Sequence, residues 1–234
     1  MRSRRASYGI DAPRVVGGLA LIGLACGAVA FGAPRFRGLV FAAGVFLGEA
    51  TLMVWSSGVG KRRVVRRMLD ALELRGDERL LDVGCGRGLV LIEAAKRLRD
   101  GRAVGVDVWR RGDQSGNTRR VTLENAEREG VAERVKVHDG DARRLPFDDG
   151  CFDVVVSSLV VHNIPDARGR EDAMREMARM LRPGGRVAVL DIRHTRAYAG
   201  TLRTAGLEAI RRTGIRFGIF PPARIVTGRR GGGP

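Results

Sequence analysis

Residues 80–88 of the 234-residue chain, LLDVGCGRG, run from a short apolar segment into a glycine-rich turn. Glycines at such a turn let a ligand approach the backbone N–H groups at the start of a helix. The spacing is GxGxG, whereas dinucleotide-binding dehydrogenases more often have GxGxxG. The carboxylate of Asp82, just upstream, suits the ammonium group of an amino-acid-like ligand. The segment therefore predicts a binding loop formed by Gly84, Cys85, Gly86 and Gly88.

Two more carboxylates follow predicted strands. The second strand ends in the sequence GVD, so that Asp107 lies nineteen residues after Gly88. In nucleotide-binding βαβ units, a carboxylate at this place accepts hydrogen bonds from ribose hydroxyls. The third strand ends in HDGDA, where Asp141 and the backbone of Ala142 offer partners for the amino group and ring nitrogen of adenine. The two strand ends predict an adenosine site without naming the cofactor.

Five motifs occur in order: LLDVGCGRG, GVD, GDARRLPF, FDVVVSSLVVHNI and MLRPGGRVAVLD. Together they resemble the class I S-adenosylmethionine-dependent methyltransferases, particularly the small-molecule branch that includes quinone-biosynthesis enzymes. The resemblance covers residues 79 to about 228, and the ordered set is far more specific than any one motif. The RPGG turn before the fifth strand is not expected in a dehydrogenase, which would prefer NAD.

The resemblance implies S-adenosylmethionine as cofactor and gives each motif a role. The glycine-rich loop would surround its methionine part, and Asp82 would lie near the ammonium. Asp107 and the adjacent Val108 would contact the ribose. Adenine and sulfonium would be contacted at the ends of the third and fourth strands, by Asp141, Ala142, Ser157 and Ser158. No metal is implied.

The fourth motif departs from one branch of the family. Residues 157–160 read SSLV and lack the Asn/Asp-Pro-Pro-Tyr/Phe signature of enzymes that methylate planar amino groups, which argues against a nucleobase amine. Methyl transfer from a sulfonium is an in-line displacement, so the protein mainly supplies alignment and a dry site. If the acceptor is a hydroxyl, His162 is the first candidate for a general base and His194 the second.

From residue 79 onward, short apolar strands alternate with helical patterns, which predicts a parallel sheet covered on both faces. We expect a doubly wound α/β fold, a Rossmann-like methyltransferase fold with seven mostly parallel strands and an antiparallel last strand. The loop 109–117 is long and polar, and is either functional or a surface loop with a helix cap at Asn117. The predicted strands are 79–83, 103–107, 135–138, 152–157, 187–191, 208–211 and 224–227, and the predicted helices are 89–98, 118–129, 170–181 and 201–205.

Two short apolar helices, 15–31 and 39–55, are predicted to precede this domain. Each has about seventeen residues, near the lower limit for crossing roughly 30 Å of hydrocarbon. GxxxG spacings at Gly23 and Gly27, and at Gly44 and Gly48, favour close helix packing in lipid. We therefore divide the chain into a membrane-associated hairpin, 1–57, and a methyltransferase domain, 58–234. A cleaved signal peptide and two buried helices of a soluble domain are the alternatives.

The formal net charge of +16 favours anionic partners. Basic residues on both flanks of the hairpin predict that the catalytic domain lies in the cytoplasm. Helix 61–74 is predicted to be amphipathic, with its arginines either solvated or attracted to anionic lipid. The three cysteines form no CxxC pair, which fits a reducing compartment. The basic flanks are Arg2, Arg4, Arg5 and Arg14 before the hairpin and Lys61, Arg62, Arg63, Arg66 and Arg67 after it.

The expected function is methyl transfer to a small, lipophilic acceptor at the membrane surface. Little sequence separates the fifth strand from the next helix, so helix 61–74, the segment before it and the membrane are expected to close the site. An RNA or protein methyltransferase and a non-catalytic cofactor-binding membrane protein are the alternatives. Aromatic residues make up only 5% of the chain, which argues against a nucleic-acid surface. The sequence gives no oligomeric state.

Overall fold

The computed structural model describes residues 6–110 and 112–232. Arg2, Arg4 and Arg5 of the first basic flank, and Arg111 of the polar loop, lie outside the described residues. The helices are α1 (Pro13–Gly32), α2 (Leu39–Trp55), α3 (Lys61–Asp70), α4 (Leu89–Ala95), α5 (Arg119–Arg128), α6 (Ala167–Met180) and α7 (Thr195–Thr204). The strands are β1 (Arg79–Val83), β2 (Arg102–Asp107), β3 (Val135–Asp139), β4 (Phe152–Ser158), β5 (Leu181–Asp191), β6 (Leu207–Arg212) and β7 (Arg224–Arg230).

The strands form one seven-stranded sheet in the order β3-β2-β1-β4-β5-β7-β6. Neighbouring strands from β3 to β5 pair in parallel, and β7 pairs antiparallel with both β5 and β6. The strand order therefore reverses between β1 and β4. In open α/β sheets, ligands bind at such a switch point, outside the carboxyl ends of the strands.

Both faces of the sheet are covered by helices, as the apolar strands predict. On one face, α3, α4 and α5 pack against the sheet through a buried cluster that includes Leu69, Ile92 and Ala126. On the other face, α6 and α7 bury residues such as Met177 and Leu202. The doubly wound fold expected from the sequence is confirmed.

Several element boundaries differ from the sequence prediction. Helix α7 begins at Thr195 rather than at residue 201, directly after His194, whose φ is 58°. The cap of α5 is Thr118, whose side chain accepts a hydrogen bond from the backbone N–H of Val121. The alternative that placed the cap at Asn117 is therefore wrong. Helix α3 ends at Asp70 instead of continuing to residue 74, and Glu73 beyond it has a φ of 49°.

The two N-terminal helices pack against each other as a hairpin. A Cβ atom added to Gly23 would lie 2.8 Å from Cγ of Leu47, so α1 approaches α2 closely here. Gly44 and Gly48 have nothing within 4 Å of such an atom, so this second GxxxG does not form the contact. The outer surface of the hairpin is apolar: exposed side chains include Leu21, Leu24, Phe31, Val40 and Phe41.

The hairpin is not buried in the domain. By length and composition, α1 and the continuous helical segment Leu39–Asp70 could each cross a membrane, and 11% and 17% of their apolar windows are buried. Helix α2 continues through one π-helical turn, Ser56–Gly60, into α3. On α3, the predicted apolar face is buried, including Val65 and Leu69.

Candidate active site

A cleft with about 1000 Å³ of space, partly open to solvent, lies at the carboxyl ends of β1, β2 and β4. This is the switch point of the sheet. Of the eleven residues predicted to bind a cofactor, eight line the cleft: Gly84, Cys85, Gly86, Asp107, Val108, Asp141, Ala142 and Ser158. The other three, Asp82, Gly88 and Ser157, do not line it.

The glycine-rich turn has the backbone conformation that its sequence predicts. Gly84, Gly86 and Gly88 have φ values of 76°, 51° and 87°, in the left-handed region that glycine tolerates best. A Cβ atom on Gly84 would lie 2.2 Å from the side chain of Val160, and one on Gly86 would lie 2.6 Å from Oε1 of Gln114. The turn has no room for larger residues. Burial raises the pKa of the Cys85 thiol well above its usual value, so this thiol stays protonated.

Asp107 joins the loops on either side of the cleft. Its Oδ2 accepts a hydrogen bond from the backbone N–H of Gly86 at 2.8 Å. Its Oδ1 accepts from the backbone N–H of Trp109 at 2.6 Å and from the Asn117 amide at 3.3 Å. The carboxylate thus fixes the glycine-rich turn while lining the cleft. Its further lone pairs can accept hydrogen bonds from ligand hydroxyls.

Asp141 lies on the opposite wall, next to Ala142. The Arg143 guanidinium bonds its carboxylate, with Nη2 2.6 Å from Oδ2, and lowers the pKa of Asp141. The backbone N–H of Arg143 also donates to Asp141 Oδ1 at 2.9 Å. The aspartate is therefore ionised and held in place at the predicted adenine end.

Asp82 is buried beneath the glycine-rich turn, with 1% of its surface exposed. Among the described residues, neither carboxylate oxygen has a hydrogen-bond partner. Its pKa is raised to about 7, chiefly by burial; the charge of Asp107 adds to the rise, whereas the backbone N–H of Leu91 and the charge of Lys61 oppose it. A buried carboxyl group without a partner is costly, and a nearby cation from a ligand would relieve that cost.

The two serines at the end of β4 have different surroundings. Ser157 is fully buried, and its hydroxyl donates a 2.8 Å hydrogen bond to the carbonyl of Val83, linking β4 to β1. Ser158 lines the cleft, and its Oγ has no partner within the described part of the chain. Only Ser158 is therefore placed to meet a ligand.

His162 lies beside the cleft rather than in its wall, whereas its neighbours Val160 and Asn163 line it. Its Nδ1 lies 2.6 Å from Oδ1 of Asp191, a charge contact whose angle is outside the range of a hydrogen bond. The backbone N–H of His162 and the hydroxyl of Tyr198 both donate to Oδ2 of Asp191. Asp191 therefore holds His162 in place beside the cleft. His194, the second candidate, is the residue that precedes α7.

Six charged or polar residues outside the motifs also line the cleft: Asp11, Lys61, Arg110, Asp113, Gln114 and Asn117. Lys61 lies in the basic run after the hairpin, yet its side chain is only 10% exposed and pairs with Asp11. Asn117 and Gln114 belong to the polar loop that the sequence singled out. That loop is therefore part of the site, whereas nothing local in the sequence marks Asp11.

The buried polar atoms fit S-adenosylmethionine. Asp82 offers an acceptor for an ammonium group, and Ser158 Oγ and Asn117 Oδ1 are buried, without partners among the described residues. The glycine-rich turn leaves space where any side chain would intrude. The fold and the site together are similar to those of the class I, S-adenosylmethionine-dependent methyltransferase domains. S-adenosylmethionine is the cofactor of this chain.

Comparison with known proteins agrees with this class. Residues 81–189 match the family described as "Methyltransferase domain". The 27-O-demethylrifamycin SV methyltransferase of Amycolatopsis mediterranei is 35% identical over 152 residues, covering 65% of this chain and 52% of that protein. A ubiquinone/menaquinone biosynthesis C-methyltransferase of Dinoroseobacter shibae is 34% identical over 164 residues, covering 70% and 59%. The chain spans about half the length of the curated relatives it matches.

Solved structures show the same fold at low sequence identity. The [4+2]-cyclase SpnF has a TM-score of 0.61 at 20% identity, covering 74% of this chain and 82% of its own. A geranyl diphosphate methyltransferase in complex with GPP and sinefungin has a TM-score of 0.56 at 16% identity, covering 72% and 77%. These likenesses concern the fold alone.

Proposed function

We propose that the protein transfers the methyl group of S-adenosylmethionine to a small, lipophilic acceptor at a membrane surface. The hairpin, residues 1–57, would associate with the membrane, and domain 58–234 would lie on the cytoplasmic side. The strongest support is that α2 continues into α3, whose first residue lines the cleft. One helical path runs from the exposed apolar helix through Ser56–Gly60 to Lys61, which lines the cleft.

The distance along this path is short. Lys61 follows Trp55, the last residue of α2, by six residues, which is about 9 Å at the rise of an α-helix. Trp55 is 43% exposed. Tryptophan favours the membrane–water interface, where its ring meets the headgroups. A hairpin inserted up to Trp55 would place the cleft next to the headgroup layer.

The walls of the cleft also favour an apolar acceptor. Part of its lining is apolar and includes Leu89, Val90, Leu159, Val160 and Ile164, beside polar residues such as Arg110 and Asn163. Burying apolar ligand surface against such side chains contributes roughly 25 cal/mol per Å². An acceptor drawn from the bilayer would meet these residues on leaving the lipid.

The connection between β5 and α7 contains no large insertion that could cover the cleft. Only three residues separate β5 from α7. Lys61 of α3 and Asp11 before α1 line the cleft instead. This supports the expectation that the N-terminal region and the membrane together close the site. Exclusion of water is what an in-line methyl transfer needs from its surroundings.

When bound, S-adenosylmethionine supplies an electrophilic methyl group. The chain's contribution is alignment: the glycine-rich turn and Asp107 orient the cofactor end, and the apolar wall positions the acceptor. Ser158 lies at the end of β4, where the resemblance places the reacting atoms. If the acceptor is a hydroxyl, we retain His162 as its base, because it follows β4 and Asp191 holds it beside the cleft.

Names of relatives support the same acceptor class. Matched proteins include enzymes named for ubiquinone and menaquinone biosynthesis and a sterol 4-C-methyltransferase of Caenorhabditis elegans. Quinones and sterols are lipophilic small molecules. An acceptor of this class is consistent with the apolar wall and the exposed hairpin, whereas RNA and protein acceptors have no comparable support.

The test is methyl transfer by the full-length chain reconstituted in vesicles. We would supply methyl-labelled S-adenosylmethionine with the organism's membrane lipids, its RNA and its soluble protein in separate reactions. The proposal predicts label in an organic-phase product, abolished in Asp107→Ala. Label only in RNA or protein would overturn the lipophilic acceptor. Cofactor binding without any transfer would favour a non-catalytic membrane protein.

A further inference from the structure

The described chain begins with a segment that packs beside the cofactor cleft before the first apolar helix, and Asp11 of this segment lines the cleft. We call residues 6–12 the N-terminal strap. Ala6 and Tyr8 are each 6% exposed and belong to the main buried cluster. The guanidinium of Arg62 stacks 4.7 Å from the centre of the Tyr8 ring. The strap is therefore packed into the domain.

Backbone hydrogen bonds join the strap to the polar loop after β2. The N–H of Ser115 donates to the carbonyl of Ile10 at 3.0 Å, and the N–H of Ala12 donates to the carbonyl of Asp113 at 3.0 Å. Asp11 and Gln114 form an antiparallel β-bridge between these bonds. The strap thus adds a short strand to the loop that lines the cleft.

Side chains connect the strap to the glycine-rich turn. Gln114 Oε1 accepts a 2.9 Å hydrogen bond from the backbone N–H of Arg87, directly beside Gly86. Its Nε2 donates to the Tyr8 carbonyl at 2.9 Å and to Asp11 Oδ1 at 3.3 Å. Because the amide oxygen of Gln114 accepts a hydrogen bond and its amide nitrogen donates two, the orientation of this amide is fixed.

Lys61 completes the chain of contacts. Its Nζ lies 3.0 Å and 3.1 Å from the two carboxylate oxygens of Asp11, and its side chain is 10% exposed. The backbone N–H of Asp11 donates to Ser57 Oγ at 3.1 Å. Lys61, Asp11 and Gln114 all line the cleft. Polar contacts therefore run without a break from the end of the hairpin to the glycine-rich turn.

We propose that the N-terminal strap is a fixed part of the cofactor site, with Asp11 as a positioning residue. Asp11, paired with Lys61, holds the Gln114 amide against the turn, so that the turn is already in its binding conformation when the cofactor arrives. Preorganisation of this kind increases affinity by lowering the ordering cost of binding. The inference concerns the cofactor and is independent of the acceptor.

The test uses the full-length chain in detergent and titrates S-adenosylhomocysteine by calorimetry. Asp11→Asn and Lys61→Met are each expected to weaken binding about tenfold, the size of one charge-assisted contact. Asp11→Glu should bind within about threefold of the wild type. Because the two residues act as one unit, the double variant should lose no more than either single variant.

Matched controls separate the strap from general loss of charge. Asp70→Asn removes one partner of Arg97 on the surface, and Lys136→Met changes an exposed lysine on β3. Both should bind as the wild type does. Binding by Asp11→Asn and Lys61→Met at wild-type affinity would overturn the proposal. Failure of the wild type itself to bind would overturn the cofactor assignment and the strap together.

Hydrogen exchange on the wild type gives a readout that needs no variant. The amides of residues 10, 12 and 115 are expected to exchange at least about tenfold more slowly with saturating S-adenosylhomocysteine, because a ligand that binds one conformation stabilises it. Unchanged exchange there, with slowed exchange at Gly84 and Gly86, would show that the strap takes no part in binding. That result would also overturn the proposal, even if a variant failed to fold.

Discussion

At the scale of single residues, the site depends on carboxylates in different surroundings. Asp107 accepts three hydrogen bonds and Asp141 pairs with Arg143, so both carboxylates are held in position. Asp82 is buried with neither oxygen bonded among the described residues. Its environment disfavours the charged form until a cation is present. Each of these aspartates could be predicted from the sequence as a carboxylate at or near a strand end, but their different surroundings could not.

The first residue-scale prediction concerns pH. Burial raises the pKa of Asp82 to about 7, above its usual value of 3.8. The folded state therefore holds an extra proton between these values, and the stability of the cofactor-free protein falls as pH rises from about 4 to 7. Three units correspond to roughly 4 kcal/mol. In melting curves, Asp82→Asn should equal the wild type near pH 4 and exceed it at pH 8.

The control for this prediction is Asp70→Asn, which changes an exposed carboxylate and should leave the pH dependence unchanged. Equal melting curves for Asp82→Asn and wild type at pH 8 would mean that Asp82 is ionised without cost. A further expectation is that Asp82→Asn weakens binding of S-adenosylhomocysteine, since the neutral amide cannot pair with the ligand's ammonium.

A second prediction compares two glycine-to-alanine changes, to separate the backbone strain of a positive φ from the steric clash of an added Cβ atom. Gly86 and Gly130 both have positive φ values, 51° and 69°, but only Gly86 has a neighbour where a Cβ would be added. Each change to Ala should cost about 1 kcal/mol of stability from the backbone alone. Only Gly86→Ala should also lose S-adenosylhomocysteine binding in calorimetry. Equal binding by the two variants would show that the close approach to Gln114 is unimportant.

At the scale of elements, the strand and helix pattern was largely predictable. The apolar runs of β1 to β5 alternate with amphipathic helices, and the glycine-rich turn between β1 and α4 fixes the local geometry. The predicted boundaries were wrong where tertiary contacts determine the end of an element. Helix α7 begins at Thr195 because Tyr198 and Leu202 are buried against the sheet, which the polar sequence around residue 195 does not indicate. Asn117 is buried by its contact with Asp107, so Thr118 caps α5 instead.

The hairpin gives an element-scale prediction. Gly23 faces Leu47 across the interface of α1 and α2, whereas Gly44 faces open space. Gly23→Leu should separate the two helices and lower the melting temperature of the protein in detergent, because a large side chain in a close helix contact costs about 1–3 kcal/mol. Gly44→Leu is the matched control and should have little effect. A similar loss in both variants would contradict the packing described here.

At the scale of the whole molecule, the hairpin and the catalytic domain are linked more closely than the sequence suggests. Motifs and periodicity indicate two modules, but the strap returns residues 6–12 to the cofactor cleft. Ser7 and Asn125 are in contact although 118 positions apart. Lys61 lies in a run of arginines, for which the sequence alone predicts a solvated helix face. Neither contact has a local signal, and both depend on the tertiary arrangement of α1, α2 and α3.

At the scale of the whole molecule, we predict that the chain binds membranes through its apolar hairpin. Exposed apolar side chains cover the hairpin, so the chain should remain with vesicles in a flotation assay at about 1 M salt, where the Debye length is about 3 Å. Attraction through the +16 net charge alone would be lost under these conditions. The measurement compares neutral with anionic vesicles at low and high salt. Release from both at high salt would contradict insertion of the hairpin.

The most direct test of the account is calorimetric titration of the full-length chain in detergent with S-adenosylhomocysteine. We predict saturable binding at one site, lost in Asp107→Ala because that carboxylate both fixes the glycine-rich turn and faces the ligand. The exposed Asp100→Ala variant is the control and should bind normally. No binding by the folded wild type, or equal binding by Asp107→Ala, would contradict the assignment of this cleft as the cofactor site.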